Sequence, residues 1–406
     1  MKGIFYKIGY NTSVQIFGKI ITSLLGFLTI GILTRYLGQE GFGNFNLVFA
    51  YLSFFGIFGD LGLQISMIRE LAKNNLPEKI YGSYFWLKLF LITVSMILAI
   101  ILLIFFPYSP LLKMAIIMGA LAYSLGLLNN YGVVIFQANL RLDYVTAMEV
   151  LVKIVTTLLI LLFVYLRVGL VKLLATVFLG NLAGSILIIL LLNKLVKLSF
   201  VFDLNLAKKL FFRSLPIGLI SLLSIFYFKI DTLLLAYFKG AGPVGIFSLA
   251  YGLIENILVL WGYYIASYYP LYSKFIRQDA LKKQAASLFK NSYIISLACS
   301  LVILMAGYLA APMIINILGG SEFRESLTAL RVLLFSVPLF FLNNLFYHTF
   351  LSRNKETIPL VGVGFSLLIS IILNLIFIPK YSFLGTSLSV IAAQAFLAIF
   401  YIFNLN

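Results

Sequence analysis

Leu33-Thr34-Arg35-Tyr36-Leu37-Gly38-Gln39-Glu40-Gly41-Phe42-Gly43-Asn44-Phe45-Asn46-Leu47 recurs 202 positions later as Leu235-Ala236-Tyr237-Phe238-Lys239-Gly240-Ala241-Gly242-Pro243-Val244-Gly245-Ile246-Phe247-Ser248-Leu249. Gly38 meets Gly240, Gly43 meets Gly245, Phe45 meets Phe247 and Leu47 meets Leu249. The offset is half of a 406-residue chain, and in both copies the glycine-rich stretch interrupts two long apolar runs. A chain built from two copies of one unit follows, divided at 1–203 and 204–406 with the basic segment 193–213 as connection.

Outward from these junctions, apolar windows of roughly 20 residues, long enough to cross a hydrocarbon core, recur from end to end. With 62% hydrophobic and 11% charged residues and a mean hydropathy of +1.07, the chain has too little polar surface for water to be its solvent. The period-two alternation of an outer-membrane barrel is absent, which leaves helices as the spanning structure. The windows fall at about 12–36, 44–68, 81–106, 111–136, 144–166, 170–192, 214–238, 244–269, 291–317, 327–351, 358–378 and 383–403. The expected fold is an all-α integral membrane protein of about 12 transmembrane helices in two six-helix lobes. Six crossings per half is an even number, so the halves share one orientation and are related by a pseudo-two-fold axis along the membrane normal. A central cleft between the lobes is the expected site of function.

With the N-terminus inside, about 18 of the 30 Lys and Arg fall in inside loops, among them Lys2, Lys7, Arg69, Lys73, Lys197, Lys208, Lys209 and Arg213. Both termini are then cytoplasmic. The net charge of +17 is accounted for by this topology and by anionic lipid, and no nucleic-acid partner is expected. The single cysteine, Cys299, excludes disulfide and cysteine-metal chemistry. Tyr263, Tyr264, Tyr268 and Tyr269 read as an interfacial belt.

Polar groups at bilayer depth are costly and should face protein or a wet cavity. Asn11, Gln15, Lys19, Thr22 and Thr29 share one face of the first helix. The repeat carries Lys19, Thr22 and Thr29 onto Ser221, Ser224 and Asp231 of the seventh. Further polar groups at depth are Asp60 and Gln64, Lys88, Lys153, Lys229, Glu255, Asn344 and His348. Lysines predominate, and a wet basic cleft attracts an anionic substrate. Other readings compete: Glu149 and Lys153 have the spacing of an intrahelical pair, Lys19, Lys88 and Lys229 can snorkel, His348 either bonds Asn344 or carries a proton, and Ser366, Ser370 and Asn374 read as packing polar groups. No phosphate-cradling loop, HExxH, GxSxG or CxxC is present, and no hydrophilic loop is long enough for a soluble catalytic domain, so ATP hydrolysis by this chain is excluded. No cofactor or metal is expected.

Thr34 to Gly43, Gly59-Asp60-Leu61-Gly62-Leu63 and Ile68-Arg69-Glu70-Leu71-Ala72 resemble the N-terminal signature of bacterial polysaccharide flippases of the multidrug/oligosaccharidyl-lipid/polysaccharide exporter superfamily. Ile230 to Leu235, Val244 to Tyr251 and Ile317-Leu318-Gly319-Gly320-Ser321-Glu322-Phe323 resemble the same family in the second half. The resemblance implies alternating access. It also implies transfer of undecaprenyl-pyrophosphate-linked repeat units of O-antigen, capsule or exopolysaccharide to the outer leaflet of the bacterial inner membrane. Lys19, Lys88, Lys153 and Lys229, aided by Gln15 and Asn11 and by Arg35 and Arg69 at helix ends, are the candidates for the pyrophosphate. Asp60, Asp231, Glu255 and His348 are the candidates for ion coupling. Implied partners are the lipid-linked oligosaccharide, membrane lipids, a polysaccharide polymerase and glycosyltransferases. The rival readings are a cation-coupled multidrug exporter of the same superfamily, which wants an acidic cavity, and a membrane polymerase or glycosyltransferase.

Overall fold

The computed structural model describes residues 2–71, 79–196 and 201–405 and, among these, all side chains except those of 2–12, 220 and 224. The described residues form α1 (Lys2–Asp60), α2 (Leu63–Leu71), α3 (Lys79–Leu102), α4 (Pro110–Ala138), α5 (Leu142–Tyr165), α6 (Leu170–Leu192), α7 (Leu204–Lys239), α8 (Ala241–Ile276), α9 (Lys282–Gly319), α10 (Arg324–Leu334), α11 (Ser336–Ser352), α12 (Thr357–Tyr381) and α13 (Phe383–Phe403), with two short 3-10 turns. Phe17, Ile104, Leu309 and Met313 are each more than two-thirds exposed, a surface that lipid covers and water does not. The protein is an all-helical, multi-pass membrane protein.

Among the described residues ten helices, or eleven with the bent pair α10–α11, are long and apolar enough to cross a bilayer. The first of these, Ser13–Leu71, contains both of the first two expected spans. Its backbone is interrupted at Gly38, with φ 66° and ψ −175°. Gly240, the repeat partner, caps α8 with φ 78° and ψ −169°. Residues with a Cβ rarely adopt this region, so the matching glycines encode matching breaks. The repeat seen in sequence is therefore a repeat of backbone geometry.

Two breaks were hidden from the apolar pattern. The span expected at 44–68 divides at Leu61 and Gly62, which have φ of 43° and 75°. The span expected at 327–351 bends by 42° between α10 and α11. Helices α7 and α9 begin at Leu204 and Lys282, well before the apolar cores at 214 and 291, because lysine-rich sequence continues a helix into the interface as readily as leucine does.

The chain forms two compact units, one of residues 1–37 and 44–225, the other of 38–43 and 226–406. In the first unit, Tyr84 and Tyr131 stack at 5.3 Å within an apolar core that includes Met67, Val134 and Phe136. A Cβ on Gly218 of α7 would fall 2.7 Å from the carbonyl of Leu61, so α7 meets the break between α1 and α2 backbone to backbone. Arg213 of α7 pairs with Glu70 of α2 nearby. In the second unit, Trp261 stacks on Phe341 at 4.2 Å, and Phe346, Phe350 and Tyr401 form the core around α11. Within this unit Gly43 lies against the backbone of Ala241 and Gly245. Of the four α8 tyrosines expected as an interfacial belt, Tyr263 and Tyr269 are exposed, whereas Tyr264 and Tyr268 turn inward. Tyr264 bonds Ser292 and Tyr268 bonds Thr349, both at 2.8 Å, because α8 continues to Ile276 and places them against α9 and α11.

Candidate functional site

In the first unit α1 lies along α5. A Cβ on Gly18 would collide with Thr146, Gly26 lies beside the ammonium of Lys153, and the hydroxyls of Thr29 and Thr157 are 2.9 Å apart. The stripe bearing Gln15 and Lys19 thus turns toward α5, where Lys19 is the electrostatic neighbour of both Glu149 and Lys153. The intrahelical pair expected between Glu149 and Lys153 does not form within 4 Å. Among the described residues neither lysine of this trio has an ion-pair partner. Gln15, Lys19 and Lys153 are half-buried. Two cations and one acid leave a net positive charge where low-dielectric walls strengthen its attraction for an anion.

The other two lysines have been given acids. Lys88, fully buried, donates to Asp60 Oδ1 at 2.7 Å, and the ammonium lies 5.8 Å from the Tyr84 ring. Asp60 closes α1, where the helix dipole is unfavourable to a carboxylate, and Lys88 supplies the compensating charge. Two residues expected to serve substrate and ion separately therefore neutralise one another. Lys229 of α7 meets Glu255 of α8 at 2.9 Å, both partly exposed. Arg35 and Arg69 are exposed at the ends of successive crossings, with Gly38 and the Leu61–Gly62 break between them. The side chains of Asn11 and Ser224 lie outside the described residues, as do Lys2, Lys7, Lys73 and Lys197.

The second unit contains a buried carboxylate that has no ion-pair cation among the described residues. Asp231 of α7 is 4% exposed, and its Oδ1 accepts hydrogen bonds from Ser370 Oγ at 2.9 Å and Asn374 Nδ2 at 2.6 Å, both from α12. Gln394 of α13 donates to the Tyr227 hydroxyl, and Asn343 donates to Gln394 Oε1 at 2.7 Å. Asn374 Oδ1 is buried with no hydrogen-bond partner. The space enclosed by Tyr227, Asp231, Tyr251, Ser370 and Gln394 is about 10 Å3, room for roughly one water-sized occupant. Apolar Phe340, Val390 and Ala393 complete its lining, and in such surroundings a proton on Asp231, or a hard monovalent cation beside it, offsets the cost of burying the carboxylate.

Ser370 and Asn374, read from sequence as packing groups, are thus ligands of Asp231, whereas Ser366 does bond the backbone of Ala393 at 2.8 Å. Tyr227 and Gln394 were missed. The available signal was that Gln394 is the one glutamine within an otherwise apolar and hydroxyl-bearing last helix. The bond expected between His348 and Asn344 is absent: Asn344 faces outward, Asn343 is the buried amide, and His348 Nδ1 is buried without a partner beside the Tyr269 ring at 5.4 Å. No group of three or more His, Cys, Asp or Glu suited to a metal occurs among the described residues.

Residues 8–276 match the family described as polysaccharide biosynthesis protein, and residues 216–376 match the MatE family. A putative O-antigen transporter of Shigella flexneri is 42% identical over 62 residues, a match spanning 15% of this chain and 15% of that relative. Among solved structures, the lipid II flippase MurJ in an inward closed conformation superposes with a TM-score of 0.78 at 13% identity, covering 98% of this chain and 87% of that one. An inward-facing multidrug resistance MATE transporter of the MOP superfamily gives a TM-score of 0.75 at 16% identity, covering 97% of each chain. These two likenesses concern the fold.

Proposed function

Because the chain belongs to the polysaccharide biosynthesis protein family, within the transporters of the multidrug/oligosaccharidyl-lipid/polysaccharide exporter superfamily, we propose that it is a flippase. Its substrate is an undecaprenyl-pyrophosphate-linked oligosaccharide repeat unit, carried from the cytoplasmic to the outer leaflet of a bacterial inner membrane by alternating access of two six-helix lobes. Repeat units so delivered feed O-antigen, capsule or exopolysaccharide assembly, with glycosyltransferases before it and a polymerase after it. Both termini are cytoplasmic.

The observation that carries this reading is the trio of half-buried Lys19 and Lys153 with exposed Glu149, whose lysines have no ion-pair partner among the described residues. A pyrophosphate brings the charge that this trio lacks. The amide of Gln15, one turn from Lys19, suits sugar hydroxyls. A drug exporter for organic cations wants free acids at depth with room beside them; Asp60 and Glu255 are each matched to a lysine, and Asp231, which is not, borders a space of only about 10 Å3, too small for an organic cation.

Coupling to an ion gradient belongs at Asp231. A sodium ion or proton there removes the cost of a buried, unmatched carboxylate and so favours whichever conformation encloses it. The gradient then biases which side the substrate site faces.

Lys19→Ala and Lys153→Ala tested in cells lacking the native gene should abolish surface display of repeat units while the protein reaches the membrane at its usual level. Undiminished surface polysaccharide in both variants contradicts the basic-site reading. Asp231→Asn should leave substrate binding intact but remove the dependence of transport on the imposed gradient.

A further inference from the structure

On the first unit, away from the lysine trio, α3 and the segment leading into α7 enclose a groove of about 620 Å3. Trp86, Phe90 and Leu91 form one wall and Phe202 and Phe211 the other, and Lys208 is the one charged side chain among the described residues that line it. We propose that this groove holds the hydrocarbon chain of an anionic phospholipid of the cytoplasmic leaflet, with the lipid phosphate against Lys208.

Three observations select that occupant. The walls are apolar from end to end, so the bound portion is hydrocarbon. The cation at the rim is available. Lys208 and its neighbour Lys209 are exposed, while Asp203, the acid five residues before Lys208, is engaged in capping α7 through Oδ1 to the backbone N–H groups of Asn205 at 3.0 Å and Leu206 at 3.2 Å. Arg213, the next cation along the helix, is held by Glu70. Basic side chains beside exposed apolar ones, here Val201, Phe202, Leu204 and Phe212, are the composition of a helix start lying in the interface over anionic lipid.

The third observation concerns position. Trp86 and Phe90 project from the face of α3 opposite to Tyr84 and Lys88, both buried in the unit's interior. The occupant therefore enters from the bilayer, not from the polar stripe of α1. The segment is also tied in place, since the N–H of Asp203 donates to Ser83 Oγ of α3 at 3.0 Å, which makes the groove a fixed feature. A lipid seated here braces the start of α7 against α3. This proposal takes its leaflet from the membrane orientation proposed above and is otherwise independent of the flippase reading.

Trp86 and Trp261 are the two tryptophans of the chain, and Trp261 is buried. In a Trp261→Phe protein reconstituted into phosphatidylethanolamine vesicles, Trp86 fluorescence reports the groove directly. Dibrominated phosphatidylglycerol should quench it at about one-fifth the mole fraction required of dibrominated phosphatidylethanolamine, the preference of about fivefold that one lysine confers. Lys208→Gln, an exposed change that leaves the fold intact, should abolish that preference and leave quenching by both lipids equal. Equal quenching already in the Lys208 protein overturns the proposal in favour of unselective lipid contact. Relief of quenching by trace undecaprenyl phosphate, but not by unbrominated phosphatidylglycerol, overturns it in favour of the substrate's own lipid. No quenching by either brominated lipid overturns it in favour of a covering second copy.

Discussion

Removing Asp60 should destabilise the first unit more than removing Lys88, although the two form one ion pair. Lys88 is 0% exposed and Asp60 24% exposed. Asp60→Asn strands a buried ammonium, and breaking a buried pair in this way costs about 3–5 kcal/mol. The partial exposure of Asp60 argues for the lower end, about 3 kcal/mol, since water can approach the gap. Lys88→Met instead leaves a carboxylate that turns to water, at about 1–2 kcal/mol. The double variant removes both charges and should return to within about 1 kcal/mol of the parent. For a unit of this size 1 kcal/mol moves Tm by about 2–4 °C. Asp60→Asn should therefore lower Tm by roughly 6–12 °C, Lys88→Met by a few degrees, and the double variant by less than Asp60→Asn alone. Thermal unfolding of all four proteins in one detergent, at a fixed scan rate, reads this cycle. Equal and additive losses from the two single changes refute the reasoning, because they mean that the pair is not coupled.

Gly240→Ala should cost about 1–2 kcal/mol, since nothing lies within 4 Å of the new methyl and only the positive φ is strained. Gly43→Ala should cost more and lower Tm further, because its methyl meets the Ala241 and Gly245 backbone, which cannot move as a side chain can. Ser382→Gly should raise Tm by the equivalent of about 1 kcal/mol, since Ser382 holds φ 52° and ψ −134° between α12 and α13. Asn374→Leu removes the closest hydrogen bond to Asp231 and should cost about 1–3 kcal/mol, with a loss of sodium or pH dependence in transport assays; retention of both leaves Asp231 without a coupling role.

What the sequence carried well were features set by local chemistry. The bounds of α6 and α13, Leu170–Leu192 and Phe383–Phe403, coincide with their apolar windows, because turn-forming Gly169 and Ser382 stand at their starts. Gly38 and Gly240 were legible as a pair because a left-handed backbone leaves glycine as its mark. The break at Leu61–Gly62 was not, since leucine on both sides continues the apolar run that signals a span. The site divides along the same line. Helical spacing placed Lys19 on its stripe, but only packing brings Lys153 beside Gly26, a distance in sequence of five helices' worth of alternatives. The partnerships of Lys88 with Asp60 and of Asp231 with Asn374 span separate helices, and a residue's partner across helices has no periodicity to betray it. Ser370 and Asn374 look alike in sequence whether they bond a neighbouring backbone or a carboxylate.

The central claim is that the trio on α1 and α5 receives the pyrophosphate of a lipid-linked oligosaccharide during transfer. The most direct measurement is translocation of a fluorescent undecaprenyl-pyrophosphate oligosaccharide in proteoliposomes, read by protection from an impermeant quencher under an imposed ion gradient. The parent protein should move the lipid well above protein-free vesicles, and the Lys19→Ala, Lys153→Ala double variant should fall to the protein-free rate. Equal translocation by the parent and the double variant, or none by the parent above empty vesicles, contradicts the account.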